Sequence, residues 1–172
     1  MFNNKYTRLL ILTFLITTLL PTISNALYIK YSFPDLVKTS DLIVRGNVIK
    51  SESHWGSLAW DPNSRIIFTN TTVQITEPYK GESGKSNIII ETQGGEIGDI
   101  GLKVEDMPQF EPGEEVILFL TPQDSKGIRR VDNYDNGKYT LSEGKIIQNN
   151  EPVSQFVNKI KQTVKETRRG TR

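Results

Sequence analysis

The side chains able to do chemistry are few and scattered. His54 is the only histidine in a chain of 172 residues that contains no cysteine. Thiol catalysis, Cys-ligated zinc and iron–sulfur clusters are therefore excluded. A Ser/His/Asp arrangement would have to use His54, and no GxSxG elbow accompanies it, so a hydrolase is the last of the functions considered. The run from Gly94 to Gly101, GGEIGDIG, has the glycines of a phosphate loop, but it lacks the GK[ST] ending and places two acids where a phosphate would approach. Glu96, Asp99, Glu105 and Asp106 gather in the same stretch beside Met107-Pro108; such carboxylates suit either calcium or plain solvation. Asp132, Asn136, Gly137 and Glu143 occupy positions one, five, six and twelve of an EF-hand-like spacing, but Tyr134 stands at position three. No catalytic residue, metal ligand or cofactor is assigned. What remains are binding residues: Trp55 and Trp60, read as contact aromatics or as plugs of a fold's end, and the acidic loop. Asn70-Thr71-Thr72 is an acceptor sequence for N-glycosylation.

The elements that hold these residues follow from patterning. Lys5 and Arg8 precede an apolar and threonine stretch from Leu9 to Leu20, broken by Pro21 and followed by Ser24-Asn25-Ala26. This is the layout of a signal peptide, residues 1–26, with cleavage after Ala26 and a secreted, periplasmic or cell-surface destination. Twelve apolar positions fall short of the roughly 20 that a spanning helix needs, so no integral membrane segment is expected after cleavage. The remaining 146 residues suit one domain. Cleavage removes two cations, leaving 19 basic against 20 acidic residues. The stretch 27–158 is acidic and 159–172 is basic, which does not resemble a nucleic-acid-binding face.

Ser32-Phe33-Pro34-Asp35 opens a short helix through Thr39. A strand then runs from Asp41 to Ile49, with Gly46 as a bulge or sharp bend. Ser51 to Ser64 is expected as a loop or hairpin tip. From Arg65 to Tyr79, Ile67, Thr69, Thr71, Val73 and Ile75 alternate with a wetter face, which predicts a long strand. Further strands are expected at Asn87–Thr92, Glu115–Leu120, Ile128–Val131, Lys138–Leu141 and Lys145–Ile147, with Asp135-Asn136-Gly137 as a hairpin turn. Val153, Phe156, Val157, Ile160 and Val164 form the apolar stripe of a closing helix from about Pro152 to Glu166. Its basic face, including Lys159, Lys161 and Lys165, is read as a docked helix with a solvated tail or as a contact for an anionic surface. These elements predict an all-β protein with short terminal helices. It is a small antiparallel OB-like barrel over residues 27–150, followed by an amphipathic C-terminal helix and basic tail over 151–172.

The order of segments carries a resemblance. Val44–Val48, then Tyr79-Lys80-Gly81, then Ser86 to Gly95, then Phe110 to Leu120 with its FEPGEEVILFL turn, resembles the netrin-like domain shared with the tissue inhibitors of metalloproteinases. More closely, it resembles small secreted prokaryotic proteins on that plan. The resemblance spans about Asp41 to Leu120 and implies an OB-like barrel and an extracellular protein partner, with a metalloprotease the specific candidate. The animal inhibitors chelate zinc with an N-terminal cysteine; this chain has none and would begin at Leu27-Tyr28. The expected function is an exported, non-enzymatic protein that engages another extracellular protein through its loops. The alternative is a surface- or polysaccharide-binding module that uses Trp55, Trp60 and the acidic loop.

Overall fold

The computed structural model describes residues 31–170; the expected leader, its cleavage site and Leu27 lie outside them. Helix α1 (Phe33–Thr39) begins as its residues require: Ser32 Oγ accepts from the Asp35 N–H, and Pro34 sits in the first turn, where no N–H is needed. Strands β1 (Leu42–Leu58) and β2 (Asp61–Lys80) then form one long antiparallel hairpin. Of loop and hairpin tip, the two readings of Ser51 to Ser64, the structure has the second, with more strand in the segment than expected. The segment is strand on both sides of a two-residue turn, Ala59-Trp60, because Ser51, Ser53 and Trp55 continue the period-2 alternation and pair with Thr71, Thr69 and Ile67. The register shifts at Arg45/Gly46, and a side chain at Gly46 would meet the Gln74 carbonyl at 2.5 Å, so only glycine allows β2 so close.

Beyond the hairpin come β3 (Asn87–Gln93), the small pair β4 (Gly95–Ile97) and β5 (Ile100–Leu102), β6 (Glu115–Leu120), β7 (Ile128–Arg129), β8 (Lys138–Ser142) and β9 (Lys145–Ile146). Glu143 and Gly144, both at positive φ, make the tight β8–β9 turn. The main sheet is ordered β7-β3-β2-β1-β6-β8-β9. Asn136-Gly137 does not close a hairpin as expected: it ends a single 3-10 turn, Tyr134–Gly137, that delivers the chain into β8, which pairs with β6 and β9. The closing helix α2 (Val153–Gly170) is longer than expected, and Val153, Phe156, Ile160 and Val164 are buried along its predicted stripe.

Two apolar clusters lie on opposite faces of the sheet. One packs both helices on it: Phe33 meets Phe119 at 6.1 Å and Phe156 at 5.5 Å, and Tyr139 meets Phe156 at 4.5 Å between ring centroids. The other gathers Val44, Val73, Ile90, Leu118 and Leu120. Ile90 on β3 and Leu120 on β6 are three steps apart in the sheet order, so the sheet must curl to bring them together. Strand β6 serves both clusters, with Ile117 and Phe119 on the helix side and Val116, Leu118 and Leu120 on the other.

The expected closed barrel is also a correction. The curl stops short of closure and leaves two edges, β7 and β9. Strand β7 pairs with β3 in parallel at only two positions, Ile89↔Ile128 and Ile90↔Arg129. It then veers to touch β6 at one isolated bridge, Leu120↔Val131. A parallel ladder that short cannot carry the seam, and past Ile90 the outer edge of β3 has no ladder partner among the described residues. Among the described residues, no helix is long and apolar enough to cross a membrane.

Candidate functional site

The predicted binding residues occupy two separate places. The first is the end of the β1–β2 hairpin. From Trp55↔Ile67 to Leu58↔Asp61 the two strands have ladder partners only in each other, so an arm about 13 Å long projects past the sheet. Trp60, in its two-residue turn, is 81% exposed. Trp55 is half-buried, with the Arg65 guanidinium 4.3 Å above its ring. The plug reading of Trp60 therefore fails, and Trp55 belongs to the arm's own packing. His54, one residue away, stacks on Phe68 with centroids 6.1 Å apart; it is part of β1, not of a loop.

The second place is the loop from Gly94 to Gly113, folded back over the curled sheet. The interior of the curl changes character beneath it. Val48, Val73, Ile88 and Ile90 make one end apolar. At the other end Ser51 Oγ lies 3.0 Å from Thr71 Oγ1, and Ser53 Oγ lies 3.0 Å from Thr69 Oγ1. Thr69 also donates to the Gly94 carbonyl, and Ser53 accepts from the Glu96 N–H. These hydroxyls floor a cleft of about 660 Å³ walled by β4, β5 and the Gln109–Glu111 stretch. Gly95 is obligatory here: its φ is +128°, and a Cβ would lie 2.2 Å from Thr69 Oγ1.

The four sequence-predicted acids do not converge. Glu96 lies in β4, Asp99 in the β4–β5 turn, and Glu105 and Asp106 follow β5, all exposed. Among the described residues, no group of three or more potential ligands is placed to hold a metal ion. Asp132, first in the EF-hand-like spacing, instead accepts from the Thr39 and Ser40 hydroxyls at 2.7 and 3.1 Å. Asn70 sits mid-strand, paired with Glu52 on one side and Glu91 on the other, and its Oδ1 is buried without a hydrogen-bond partner.

Beside the cleft is a pocket that the sequence reading missed. It has a volume of about 360 Å³ and lies between the β3 edge and the 130–134 stretch, walled by Phe68, Met107, Pro108, Val131 and Tyr134. At its rim Arg130 Nη2 donates to Glu91 Oε1 at 2.5 Å. Three non-glycine residues at its border are left-handed: Asp106 (φ 60°), Asn133 (φ 55°) and Tyr134 (φ 58°). The first and last are tied together, since the Asp135 N–H donates to the Asp106 carbonyl at 2.9 Å. Tyr134 entered the sequence reading only as a misfit in a calcium loop, and no sequence pattern announces a left-handed tyrosine. Loops held in such geometry are costly and concentrate at binding sites. The arm and the pocket are offered without a guide from relatives: no protein-family model and no curated protein matches the chain.

Proposed function

We propose that the chain is an exported, non-catalytic binding protein that engages another extracellular protein through its projecting surfaces, with the hairpin tip as the primary contact. The observation that carries this reading is Trp60, 81% exposed at the end of an arm whose strands have ladder partners only in each other. A tryptophan left bare in a two-residue turn is a large apolar area presented at little conformational cost, the kind of residue that dominates protein interfaces. The segments behind the resemblance to netrin-like domains are neighbours in space: Gly46 pairs with Val116, and Ile43 with Lys80. An extracellular metalloprotease is the specific candidate partner by the resemblance alone, approached without any cysteine. A polysaccharide-binding module would use Trp55 and Trp60 together as a flat platform, and the Arg65 guanidinium over the Trp55 ring disfavours it.

Immobilised mature chain, Leu27 to Arg172, tests the reading against the growth medium of the cells that export it. The expected result is a protein retained by the wild type and by Trp60→Phe but lost with Trp60→Ala. Retention of a glycan instead, or retention of the protein by Trp60→Ala, overturns the proposal.

A further inference from the structure

We infer that the pocket between β3 and the 130–134 stretch receives an extended, positively charged peptide segment, which adds to the free edge of β3 and buries one apolar side chain. This inference rests on the reading of the chain as a protein-binding module, but on a different surface from the arm.

The edge comes first. Strand β3 pairs with β2 along its whole length, from Asn87 to Gln93. On its other side β7 covers only Ile89 and Ile90 before the chain departs to bridge Leu120. Glu91, Thr92 and Gln93 therefore present an edge with no ladder partner among the described residues, and all three line the pocket. An incoming strand gains main-chain hydrogen bonds along such an edge and specificity from the pocket that its alternate side chains reach.

The pocket sets what that side chain is. Phe68, Met107, Pro108 and Val131 are apolar walls, and Tyr134, 48% exposed, is the outer one. A cavity of about 360 Å³ is at the small end of ligand sites and suits one leucine-, methionine- or phenylalanine-sized group.

The rim sets the charge. Glu91 and Arg130 neutralise each other. That leaves Glu105, Asp106 and Asp135, within two residues of pocket-lining positions, with no cation in ion-pair contact among the described residues. The stretch 27–158, to which they belong, is itself net acidic. Lysines or arginines on either side of the apolar anchor complement this rim and speed encounter. The left-handed Asp106 and Tyr134, clamped through the Asp135 N–H, hold the mouth open in advance of the ligand.

The test is fluorescence anisotropy on the mature chain with a short labelled peptide, one central leucine between lysines. Controls are the same peptide with a central glycine and one with glutamates for lysines. Saturable, salt-sensitive binding of the first alone is expected, with slower amide exchange at Glu91–Gln93. Tyr134→Ala and the pair Asp106→Asn, Asp135→Asn should each weaken it at least about tenfold. Met107→Arg, which fills the pocket from the surface, gives the same loss without depending on Tyr134. Thermal unfolding checks that each variant is folded. Equal binding of the glycine peptide, equal binding of the acidic peptide, full affinity in folded Tyr134→Ala and Met107→Arg, or unchanged exchange at β3 overturns the inference. Self-association of the chain that excludes the peptide assigns the pocket to a second copy and overturns it too. Trp60→Ala should bind the peptide normally, so failure of the arm reading and failure of this one are separable.

Discussion

The ammonium of Lys80 lies 2.6 Å from the Ser40 carbonyl oxygen, and it also donates to the Val37 and Lys38 carbonyls at 2.8 and 2.9 Å. One side chain from the end of β2 thus satisfies the orphan carbonyls at the C-terminal end of α1, forty residues earlier in the chain. Lys80→Met keeps the aliphatic stem and removes the donors. The expected cost is about 1–3 kcal/mol, read as a fall in the denaturant midpoint with unchanged slope; a loss indistinguishable from zero would refute the cap.

Gly81 makes the adjoining prediction. Its φ is +74°, and a Cβ there would lie 2.3 Å from the Asp41 carbonyl oxygen. Strain and collision act together, so Gly81→Ala should cost about 2 kcal/mol or more. Gly84 also has positive φ, but nothing lies within 4 Å of an added Cβ. Gly84→Ala should therefore be clearly milder, and calorimetry of the two variants separates crowding from dihedral strain.

Arg129 is buried, its side chain 7% exposed, and its Nη1 donates to Asp41 Oδ2 at 2.6 Å and to the Thr121 carbonyl at 2.7 Å. Removing one partner strands the other, so Asp41→Ala should cost about 2 kcal/mol, the half-exposed carboxylate discounting a fully buried pair. Arg129→Met takes out the charge itself and should cost less than Asp41→Ala. The double variant should be no worse than the single acid variant, and additive losses would contradict the pairing.

Burial, then the neighbouring Glu77 carboxylate, pushes the Tyr79 hydroxyl up to about 12. Its neutral form is favoured by folding, so that contribution is whole below about pH 10, the ordinary tyrosine value, and drains away as pH rises toward 12. Glu77 moves the opposite way: the hydrogen bond from Lys161 holds it below the usual carboxylate range, so its contribution is present above that range and lost on acidification. The difference in stability between wild type and Tyr79→Phe should shrink from pH 10 to pH 12. The difference for Glu77→Gln should shrink as pH falls below about 4.5.

The local parts of this fold were legible because local physics sets them. Ser32 and Pro34 start α1, alternation from Ile67 to Ile75 makes β2, and Val153 to Val164 is a helical stripe packed where its period points. The Lys80-Gly81 dipeptide was visible as a recurring pattern, but its reason was not. It is a cap on α1 and a close pass beneath Asp41, both contacts across some forty residues. The same distance in sequence hid the pocket. Phe68, Met107 and Tyr134 belong to three segments that periodicity treats separately. Trp60 stands out by residue type, and Ser51 to Ser64 reads as a loop or a hairpin tip because its polar residues obscure the alternation; the pairing across Ala59-Trp60 decides for the hairpin. The barrel was over-read: counting strands gives no information on whether the last seam has enough residues to zip.

Strand β6 has a further consequence. Its residues Val116 to Leu120 are all wholly shielded from solvent, and alternate ones belong to the two clusters on either side. It acts as a party wall: neither chamber can open while the wall stands, and when it goes both go together. Hydrogen exchange should then find one cooperative unit rather than a sheet and a helical layer that melt in turn, with the amides of β6 the last to exchange.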